Sequence, residues 1–289
     1  MIAEIETDSH ATTRPLLRRG AKGGPLEYVS ASRVNTWLQC RRKFYYRYVL
    51  KLGSPSSPAL HLGKVVHATL QDWNHGHWSG NQIEGELLLG RYREHWSTLL
   101  DSDPVIWPKP NEEEKQRSLG WGLVEHYIET CPIPADEKPA GVEVRLEAPL
   151  PGGLPNLIGI IDLVRANGSI VDYKTAARTP DEELTRFTHG LQLSLYARLY
   201  RECTGKREEG LELHHLIKTK APKVEVHRYG TVGDQEMENT LQTLHRFVDA
   251  VEAEDWTASP NFMCGSCEFY ENCKARLSLV DSRAEEAKS

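Results

Sequence analysis

The feature that most constrains this chain is a pair of aspartates, each set inside an otherwise apolar, strand-like segment. The first segment reads Gly-Ile-Ile-Asp-Leu-Val and ends at Val164, so it carries Asp162. The second reads Ile-Val-Asp-Tyr-Lys-Thr from Ile170 and carries Asp172 and Lys174. A carboxylate in an apolar strand is costly unless something neutralises it. The pair therefore requires a partner of opposite charge.

The sequence Arg-Ala-Asn-Gly, residues 165–168, joins the two segments and predicts a hairpin turn, because its glycine can adopt a positive φ angle. Asp162 and Asp172 then lie on adjacent strands and converge, and two such oxygen ligands suit Mg²⁺ or Mn²⁺. Lys174 follows Asp172 by two positions and shares its face, where an ammonium stabilises charge on a phosphate or places a water. The structural alternative is that Asp162 pairs with Arg165 or Lys174, and the second segment merely ends a strand.

Two helical segments carry further candidates. Gln192 and Tyr196 are four residues apart on a helix predicted over 181–203, so they share one face. There they contact a phosphate backbone or order a metal site, or they are ordinary surface residues. His67 lies at the edge of the apolar stripe of a helix predicted over 60–78. A neutral imidazole is a suitable third metal ligand, although a single helical histidine is often structural.

The order of predicted elements defines the fold class. Helices fill residues 30–130, beginning with one that Ser32 caps and that runs to Tyr48, and strands and helices alternate over 140–255. This is an α/β core with a helical part before it. Residues 1–27 and 279–289 are predicted to be mobile tails.

The composition narrows the class of protein. The chain has 289 residues and a net charge of −6, which argues against coating nucleic acid by charge alone but permits a local basic groove. No apolar stretch is long enough for a membrane span or a signal peptide, so we expect a cytoplasmic protein without membrane contact. The chain has no Walker A motif, so no ATP-driven helicase motor is expected.

Three cysteines lie close together near the C-terminus. Cys264 and Cys267 form a C-x₂-C pair, and Cys273 follows after five intervening residues. A [4Fe–4S] cluster or a structural zinc ion needs four thiolates, and Cys40 is the leading candidate for the fourth. The local spacing favours neither metal over the other. A redox disulfide between Cys264 and Cys267 is a further alternative.

The order of these motifs resembles a known family. Gly63 to Leu70 reads G-x-x-x-H-x-x-L, and G-I-I-D, D-Y-K-T and Q-x-x-x-Y follow in turn. This order is similar to the RecB-like branch of the PD-(D/E)XK nuclease superfamily, which includes nuclease domains of bacterial recombination helicase–nucleases and CRISPR-associated exonucleases. The resemblance covers residues 30–275, although the opening proline of the superfamily name has no clear counterpart.

The resemblance implies a restriction-endonuclease-like α/β core, with a mixed central sheet flanked by helices. It also implies an N-terminal helical part, a C-terminal cluster-binding segment, and a single nuclease domain over residues 28–278. The implied ligands of Mg²⁺ or Mn²⁺ are His67, Asp162, Asp172 and the Tyr173 carbonyl. Lys174 would assist the attacking water, and Gln192 and Tyr196 would shape the site. Glu143 stands on the preceding strand, but no spacing places it among the ligands.

Iron–sulfur members of the family carry one cysteine before the nuclease core and three after it. The resemblance therefore implies a [4Fe–4S] cluster on Cys40, Cys264, Cys267 and Cys273, with zinc as the alternative. Such a cluster would join the segment 260–275 to Cys40 and contribute to folding. Arg41 follows Cys40 where these relatives often have proline.

The run after Cys40 alternates cations with aromatic rings. The cations predicted to contact DNA phosphates are Arg41, Arg42, Lys43 and Arg47, and the rings could stack on unpaired bases. The alternative is that the rings belong to the core and the charges are solvated.

The expected function is that of a metal-dependent DNA nuclease. The resemblance implies an exonuclease on single-stranded DNA ends, in repair, recombination or CRISPR adaptation, with other DNA-processing proteins as further partners. A different class is a non-catalytic iron–sulfur subunit that binds DNA for a larger complex, and another is a zinc-stabilised interaction protein.

Overall fold

The computed structural model of the chain describes residues 17–275. This part divides into two compact units. The first comprises residues 17–54, 149–157 and 241–275, and the second comprises 55–148 and 158–240. The single domain expected over residues 28–278 stays a prediction.

The predicted tails lie mostly beyond this range. Residues 1–16 and 279–289 are outside the described residues. Within 17–27, Leu17 and Leu26 are buried, and Arg19 pairs with Glu252 at 3.0 Å. The mobility expected for the tails is untested and stays a prediction.

The helices and strands follow the predicted order. In chain order they are α1 Ala31–Gln39, α2 Arg41–Phe44, a π-helical turn Tyr45–Val49, α3 Pro58–Ser79, α4 Gly85–Ser102, α5 Glu112–Glu129, β1 Gly141–Ala148, β2 Leu157–Val164, β3 Ile170–Ala176, α6 Glu182–Thr204, β4 Leu211–Ile217, β5 Lys223–Tyr229, α7 Asp234–Glu252 and a 3₁₀ turn Phe262–Ser266. One expectation was wrong: the helix predicted from Ser32 to Tyr48 begins with Ser30 as its cap and breaks at Cys40, whose backbone is extended.

The five strands form one mixed sheet in the order β1-β2-β3-β4-β5. β2 and β3 pair antiparallel, β3 and β4 pair parallel, and β4 and β5 pair antiparallel. The parallel pair needs a crossover connection, which α6 supplies. The predicted α/β class with a mixed sheet flanked by helices is confirmed.

Local chemistry explains the β2–β3 hairpin and the start of α6. Gly168 has a φ of +91° and its N–H donates to the Arg165 carbonyl at 2.9 Å, so the predicted turn is present. Asp181 caps α6, because its Oδ1 accepts a hydrogen bond from the Leu184 N–H at 2.8 Å. The first feature joins β2 to β3, and the second starts the helix that follows β3.

Gly159, the first residue of the G-I-I-D motif, lets α6 approach β2 closely. A Cβ at this position would lie 2.6 Å from Leu199 Cδ1 and 3.4 Å from Tyr196 Cε1. A side chain there requires the Leu199 side chain, or the helix that carries it, to move. The glycine therefore sets the distance between the sheet and the helix that carries Gln192.

Helices α3, α4 and α5 pack against one face of the sheet. The core there includes buried Trp96, Tyr127, Val171 and Tyr173. Because side chains alternate along a strand, Asp172 and Lys174 project from the opposite face of β3. Their side chains thus point away from this aromatic core.

Aromatic rings fill the centre of the first unit. Phe247 lies against Trp37 and Phe44, with ring centroids 5.7 and 5.3 Å apart. Arg33 is buried beside them, where its Nη1 donates to the Pro25 and Tyr28 carbonyls at 2.9 Å. Among residues 17–275, no helix combines the length and apolar character that crossing a bilayer requires.

Candidate active site

The paired part of the β2–β3 hairpin stops where the two aspartates begin. The backbone pairs are Leu163–Val171 and Val164–Ile170. Asp162 and Asp172 are the next residue on each strand, and there Asp162 Oδ2 accepts a hydrogen bond from the Tyr173 N–H at 2.8 Å. A side-chain carboxylate thus takes a backbone donor that a paired strand would otherwise bind.

The structural alternative for Asp162 is wrong, because the cations it needs are engaged elsewhere. Arg165 pairs with Glu137 at 2.6 Å and with Glu212 at 2.8 Å. Lys174 pairs with Asp172 instead, with Nζ 2.6 Å from Asp172 Oδ2.

His67 on α3 faces Asp162. Its Nδ1 lies 3.4 Å from Asp162 Oδ2, and its ring meets the edge of Tyr173 at a centroid distance of 6.0 Å. Burial lowers the pKa of His67, but the carboxylates of Asp162 and Asp172 outweigh it and raise the pKa overall. The structure therefore brings this predicted ligand to the hairpin.

Gln192 on α6 connects the other side of the site. Its Nε2 donates to Asp172 Oδ1 and to the Tyr196 hydroxyl, both at 2.9 Å, and its Oε1 accepts from Lys174 Nζ at 3.2 Å. Asp172 is only 2% exposed, and its Oδ2 lies 2.6 Å from the Lys174 ammonium. All four side chains therefore form one connected, largely buried set.

The environments of the two aspartates push their pKa values in opposite directions. Burial acts to raise the pKa of Asp162, but His67 and the Tyr173 N–H hold it below its usual value. Burial raises the pKa of Asp172, and the Asp162 carboxylate raises it further against the charge of Lys174. Such a split is typical of paired carboxylates with different tasks.

Two residues of this site were not predicted as members. Glu143 on β1 is half-buried beside Asp162 and His67, and burial and the Asp162 carboxylate raise its pKa. His189 on α6 is half-buried beside Lys174, where burial and that charge lower its pKa to about 4. Only His189 left a signal in the sequence, since it precedes Gln192 by three residues on one helical face.

The four predicted cluster cysteines lie in the first unit as free thiols, which argues against a disulfide. Burial raises the pKa of Cys273, and Cys40, Cys264 and Cys267 raise it further, whereas Arg42 lowers it. Backbone N–H groups of Ser259 and Asn261 donate to the sulfurs of Cys40 and Cys264, at 3.4 and 3.3 Å. The charges of the other three cysteines thus reach Cys273.

Neither group of candidate ligands encloses an ion in its present geometry. Throughout residues 17–275, no three histidine, cysteine, aspartate or glutamate side chains converge closely enough to hold a metal. At the hairpin, the protein's own donors occupy the carboxylates instead.

The four cations predicted to contact DNA lie against residues 255–268. Arg41 pairs with Asp255, Arg42 Nε donates to the Trp256 carbonyl at 2.8 Å, and Lys43 and Arg47 both pair with Glu268. The alternative that the rings of this run belong to the core is partly correct, because Phe44 is fully buried. DNA contact by this run is untested and stays a prediction.

Comparison with solved structures shows that the fold occurs in other proteins. A protein from Eubacterium rectale, provisionally named as an exonuclease, is 12% identical with a TM-score of 0.55, and the match covers 92% of each chain. An alkaline exonuclease from Laribacter hongkongensis is also 12% identical, over 77% of this chain and 94% of that one, but its TM-score of 0.30 supports no conclusion. No curated protein sequence matches the chain.

The comparison with protein families gives a match that spans both units. The model of the PD-(D/E)XK nuclease superfamily matches residues 28–274, and this range contains every residue of the hairpin site and all four clustered cysteines. The chain therefore belongs to the PD-(D/E)XK nuclease superfamily.

Proposed function

We propose that this protein is a Mg²⁺- or Mn²⁺-dependent deoxyribonuclease that hydrolyses DNA phosphodiester bonds. The observation that carries the proposal is the buried set in which Asp172, Lys174 and Gln192 are in direct contact, next to Asp162, which bonds the Tyr173 N–H and faces His67. Buried charges with split pKa values have a stability cost, and such sets concentrate at functional sites.

A divalent ion fits this site by donor chemistry and by charge. Carboxylate oxygens and one imidazole lie where the pairing of β2 with β3 stops, and these are donor types that Mg²⁺ and Mn²⁺ bind. The residues that would hold the ion are His67, Asp162, Asp172 and the Tyr173 carbonyl. When bound, the ion supplies a Lewis acid that polarises a phosphoryl oxygen and lowers the pKa of the attacking water.

Lys174 is held in a position from which its ammonium can stabilise negative charge on a phosphate. Its ammonium lies between the Asp172 carboxylate and the Gln192 carbonyl oxygen, so the charge is held in one place before substrate arrives. A preorganised cation stabilises the negative charge that develops on a phosphate as water attacks. In this position it also orients that water by a hydrogen bond.

Gln192 acts as a positioning residue, because its amide group already forms hydrogen bonds to other protein side chains. Its two donated bonds and one accepted bond go to Asp172, Tyr196 and Lys174. The phenol of Tyr196 stays neutral, because burial raises its pKa far above the usual value. Its hydroxyl proton has no acceptor among residues 17–275, so it can donate to a phosphate oxygen.

The finer substrate class rests on the RecB-like resemblance. We infer an exonuclease that acts on single-stranded DNA ends during repair, recombination or CRISPR adaptation, alongside other DNA-processing proteins. Support comes from the order of the motifs together with the superfamily match.

The direct test is degradation of labelled DNA in Mn²⁺ and in Mg²⁺. Linear single strands labelled at either end, linear duplexes and circular single strands separate exonuclease from endonuclease activity and report polarity. We expect Asp162→Asn and Lys174→Ala to lower the rate by about 10²–10³-fold. Lys223→Ala, an exposed lysine on β5, is the matched control and should cleave normally.

Two outcomes would contradict the proposal. Unchanged cleavage by both site variants would remove the hairpin as the active site. No cleavage by the wild-type protein with either metal on any substrate would favour the non-catalytic DNA-binding subunit.

We also propose that the four clustered cysteines bind a [4Fe–4S] cluster. The shared electrostatic field at Cys273 supports this, as do the two backbone N–H···S bonds and the nearby Arg42, which offsets thiolate charge. Anaerobic purification should give a brown protein that contains iron and sulfide, and Cys40→Ser should lose the colour. A colourless protein with one bound zinc would make the site a zinc site instead.

A further inference from the structure

A cavity of about 500 Å³ lies in the second unit, on the face of the sheet that α3, α4 and α5 cover. Its walls come from α3, from the end of α5 and the loop that follows it, and from the end of β2. This volume is typical of sites for small molecules. Leu163 lines the cavity, whereas Asp162, the residue before it on β2, projects from the opposite face of the strand. The sheet therefore separates the cavity from the hairpin site.

Three hydrogen-bond acceptors around the cavity have no donor. Asn74 is only 3% exposed, and its Nδ2 donates to the Tyr173 hydroxyl at 3.0 Å, but nothing within residues 17–275 donates to its Oδ1. Glu84 and Glu129 lie exposed at the rim, and neither has an ion-pair partner in the same part of the chain. Because buried polar atoms in native proteins nearly always have a partner, a ligand that supplies donors suits this cavity.

The charge of the lining favours a cation. Glu84, Glu129 and Glu137 bring three carboxylates, whereas Arg165 brings one guanidinium, so apart from His77 the lining has an excess of two negative charges. Glu137 pairs with Arg165 at 2.6 Å, which offsets the one positive charge. Glu129 is also the last residue of α5, and the carboxyl end of a helix attracts cations. Phosphates and nucleotides are therefore unfavourable ligands.

The walls suit a cation that carries an alkyl chain. Ile128, Ile133 and Leu163 provide apolar side chains, against which methylene groups gain free energy by burial. The indole ring of Trp73 also lines the cavity, and aromatic rings attract ammonium groups. A bare metal ion does not suit these walls, because no three histidine, cysteine, aspartate or glutamate side chains within residues 17–275 converge on one point.

We propose that this cavity binds a small alkylammonium ion of the diamine or polyamine class. One ammonium group donates to Asn74 Oδ1, the methylene chain lies along the apolar walls, and a second ammonium group pairs with Glu84 and Glu129 at the rim. This activity is separate from the proposed nuclease function, since it involves neither the hairpin carboxylates nor DNA.

The test is calorimetric titration of the full chain without metal or DNA. Salt at about 0.15 M screens unspecific attraction between exposed charges. The probes are putrescine and spermidine, with the uncharged diol of the same chain length as putrescine for comparison. We expect one saturable site for each amine and no binding of the diol.

Two rim variants test the carboxylates. Glu84→Gln and Glu129→Gln should each weaken amine binding about threefold, and the double variant about tenfold, because each removes one exposed ion pair. Glu125→Gln is the matched control. It removes the same charge from an exposed position of α5 outside the lining, and it should bind as the wild type does.

Ala135→Trp separates binding in the cavity from attraction to the surface. Ala135 is an exposed residue of the lining loop, so an indole at this position fills part of the cavity and leaves every charge in place. We expect it to abolish amine binding without a change in Tm. Asp162→Asn should bind the amines as the wild type does, because its side chain lies on the other side of the sheet.

Several results would overturn the inference. These are no saturable binding of either amine to the wild type, full binding in Ala135→Trp, or a loss of binding in Asp162→Asn alone, which would place the cation at the hairpin. A lysine peptide that binds the wild type but not Ala135→Trp, while the free amines bind neither, would assign the cavity to a side chain of a partner protein. Failure of the nuclease proposal would leave these measurements unchanged, since they contain no metal and no DNA.

Discussion

The acidic site in the second unit and the cysteine site in the first treat their candidate metal ligands very differently. Protein donors already occupy Asp162 and Asp172: a backbone N–H, the Gln192 amide and the Lys174 ammonium. The cysteine sulfurs receive two long N–H···S bonds, to Cys40 and Cys264. One set of ligands is thus satisfied within the fold, and the other is not.

The two sites also differ in the amount of buried apolar surface around them. The hairpin lies between an aromatic core and α6. Between residues 255 and 275, Phe269 is the one buried side chain, and it packs on Tyr46 with a centroid distance of 5.6 Å. The segment's other contacts include ion pairs to Asp255 and Glu268, a hydrogen bond to the Trp256 carbonyl, and the half-buried Trp256 ring against Phe44. We infer that the hairpin folds without an ion, whereas the cysteine segment depends on one.

The largest expected effect tests this contrast in stability. Cys40→Ser should destabilise the protein by more than about 3 kcal/mol, because metal–thiolate bonds replace the apolar burial that the segment lacks. Asp162→Asn should cost only about 1 kcal/mol, because the asparagine oxygen can still accept the Tyr173 N–H bond and only the attraction of His67 is lost. Anaerobic urea unfolding, followed by fluorescence, measures both.

A conservative change elsewhere provides the control for that experiment. Cys203→Ser alters an exposed thiol outside the cluster and should change neither colour nor stability. Equal losses in Cys40→Ser and Asp162→Asn would contradict the contrast, since both sites would then contribute equally to folding.

Much of the acidic site could be predicted because its signals are local. The turn at Gly168 and the period of two along β3 place Asp162, Asp172 and Lys174 together without knowledge of the rest of the chain. Gln192 followed from the helical period in the same way. These positions depend on neighbours within about twenty residues, where sequence pattern and geometry agree.

Glu143 and the basic run have surroundings that local sequence patterns do not reveal. Glu143 in β1 has a φ of +48°, which interrupts the alternation of side chains along the strand, so the strand's period does not predict its place beside Asp162. The basic run carries a clear charge signal, but Arg41 and Arg47 meet Asp255 and Glu268 more than two hundred residues away. Only the tertiary fold reveals those partners.

A second prediction concerns Glu212 on β4, which pairs with Arg165 in the turn between β2 and β3. Burial acts to raise the pKa of Glu212, but His214 and Arg165 lower it to about 2. A carboxyl group whose pKa is depressed in the folded state stabilises the protein above its unfolded pKa, and this contribution disappears as pH falls through the folded value. Glu212 should therefore contribute about 2–3 kcal/mol at pH 7, lost between about pH 4.5 and 2.

Glu212→Gln tests this by acid titration of stability. The variant should start less stable at neutral pH and lose less on acidification than the wild type. Glu202→Gln, in a half-exposed pair on α6, is the control and should leave the acid curve unchanged. A Glu212→Gln curve parallel to that of the wild type would contradict the assignment.

A third, smaller effect concerns the spacing of the sheet and α6. In Gly159→Ala the new Cβ meets Leu199 at 2.6 Å, and overpacking of this kind costs about 1–3 kcal/mol. Because α6 carries Gln192, we also expect slower Mn²⁺-dependent cleavage. Gly90→Ala on α4, where a Cβ meets nothing within 4 Å, is the control and should be neutral or stabilising. If Gly159→Ala were as stable as the wild type, Leu199 or α6 would accommodate the extra methyl group without cost, and the prediction would be wrong.

The smallest expected effect on stability and DNA affinity is that of removing a cation from the basic run of the first unit. Arg47 is 40% exposed and pairs with Glu268, so Arg47→Ala should lower stability by less than about 1 kcal/mol. Because this cation already has a carboxylate partner, we expect single-stranded DNA affinity to change less than about twofold. Fluorescence anisotropy over a series of salt concentrations measures this. A loss of affinity together with a salt slope shallower by about 0.7, the value for one phosphate contact, would instead place the run on the DNA.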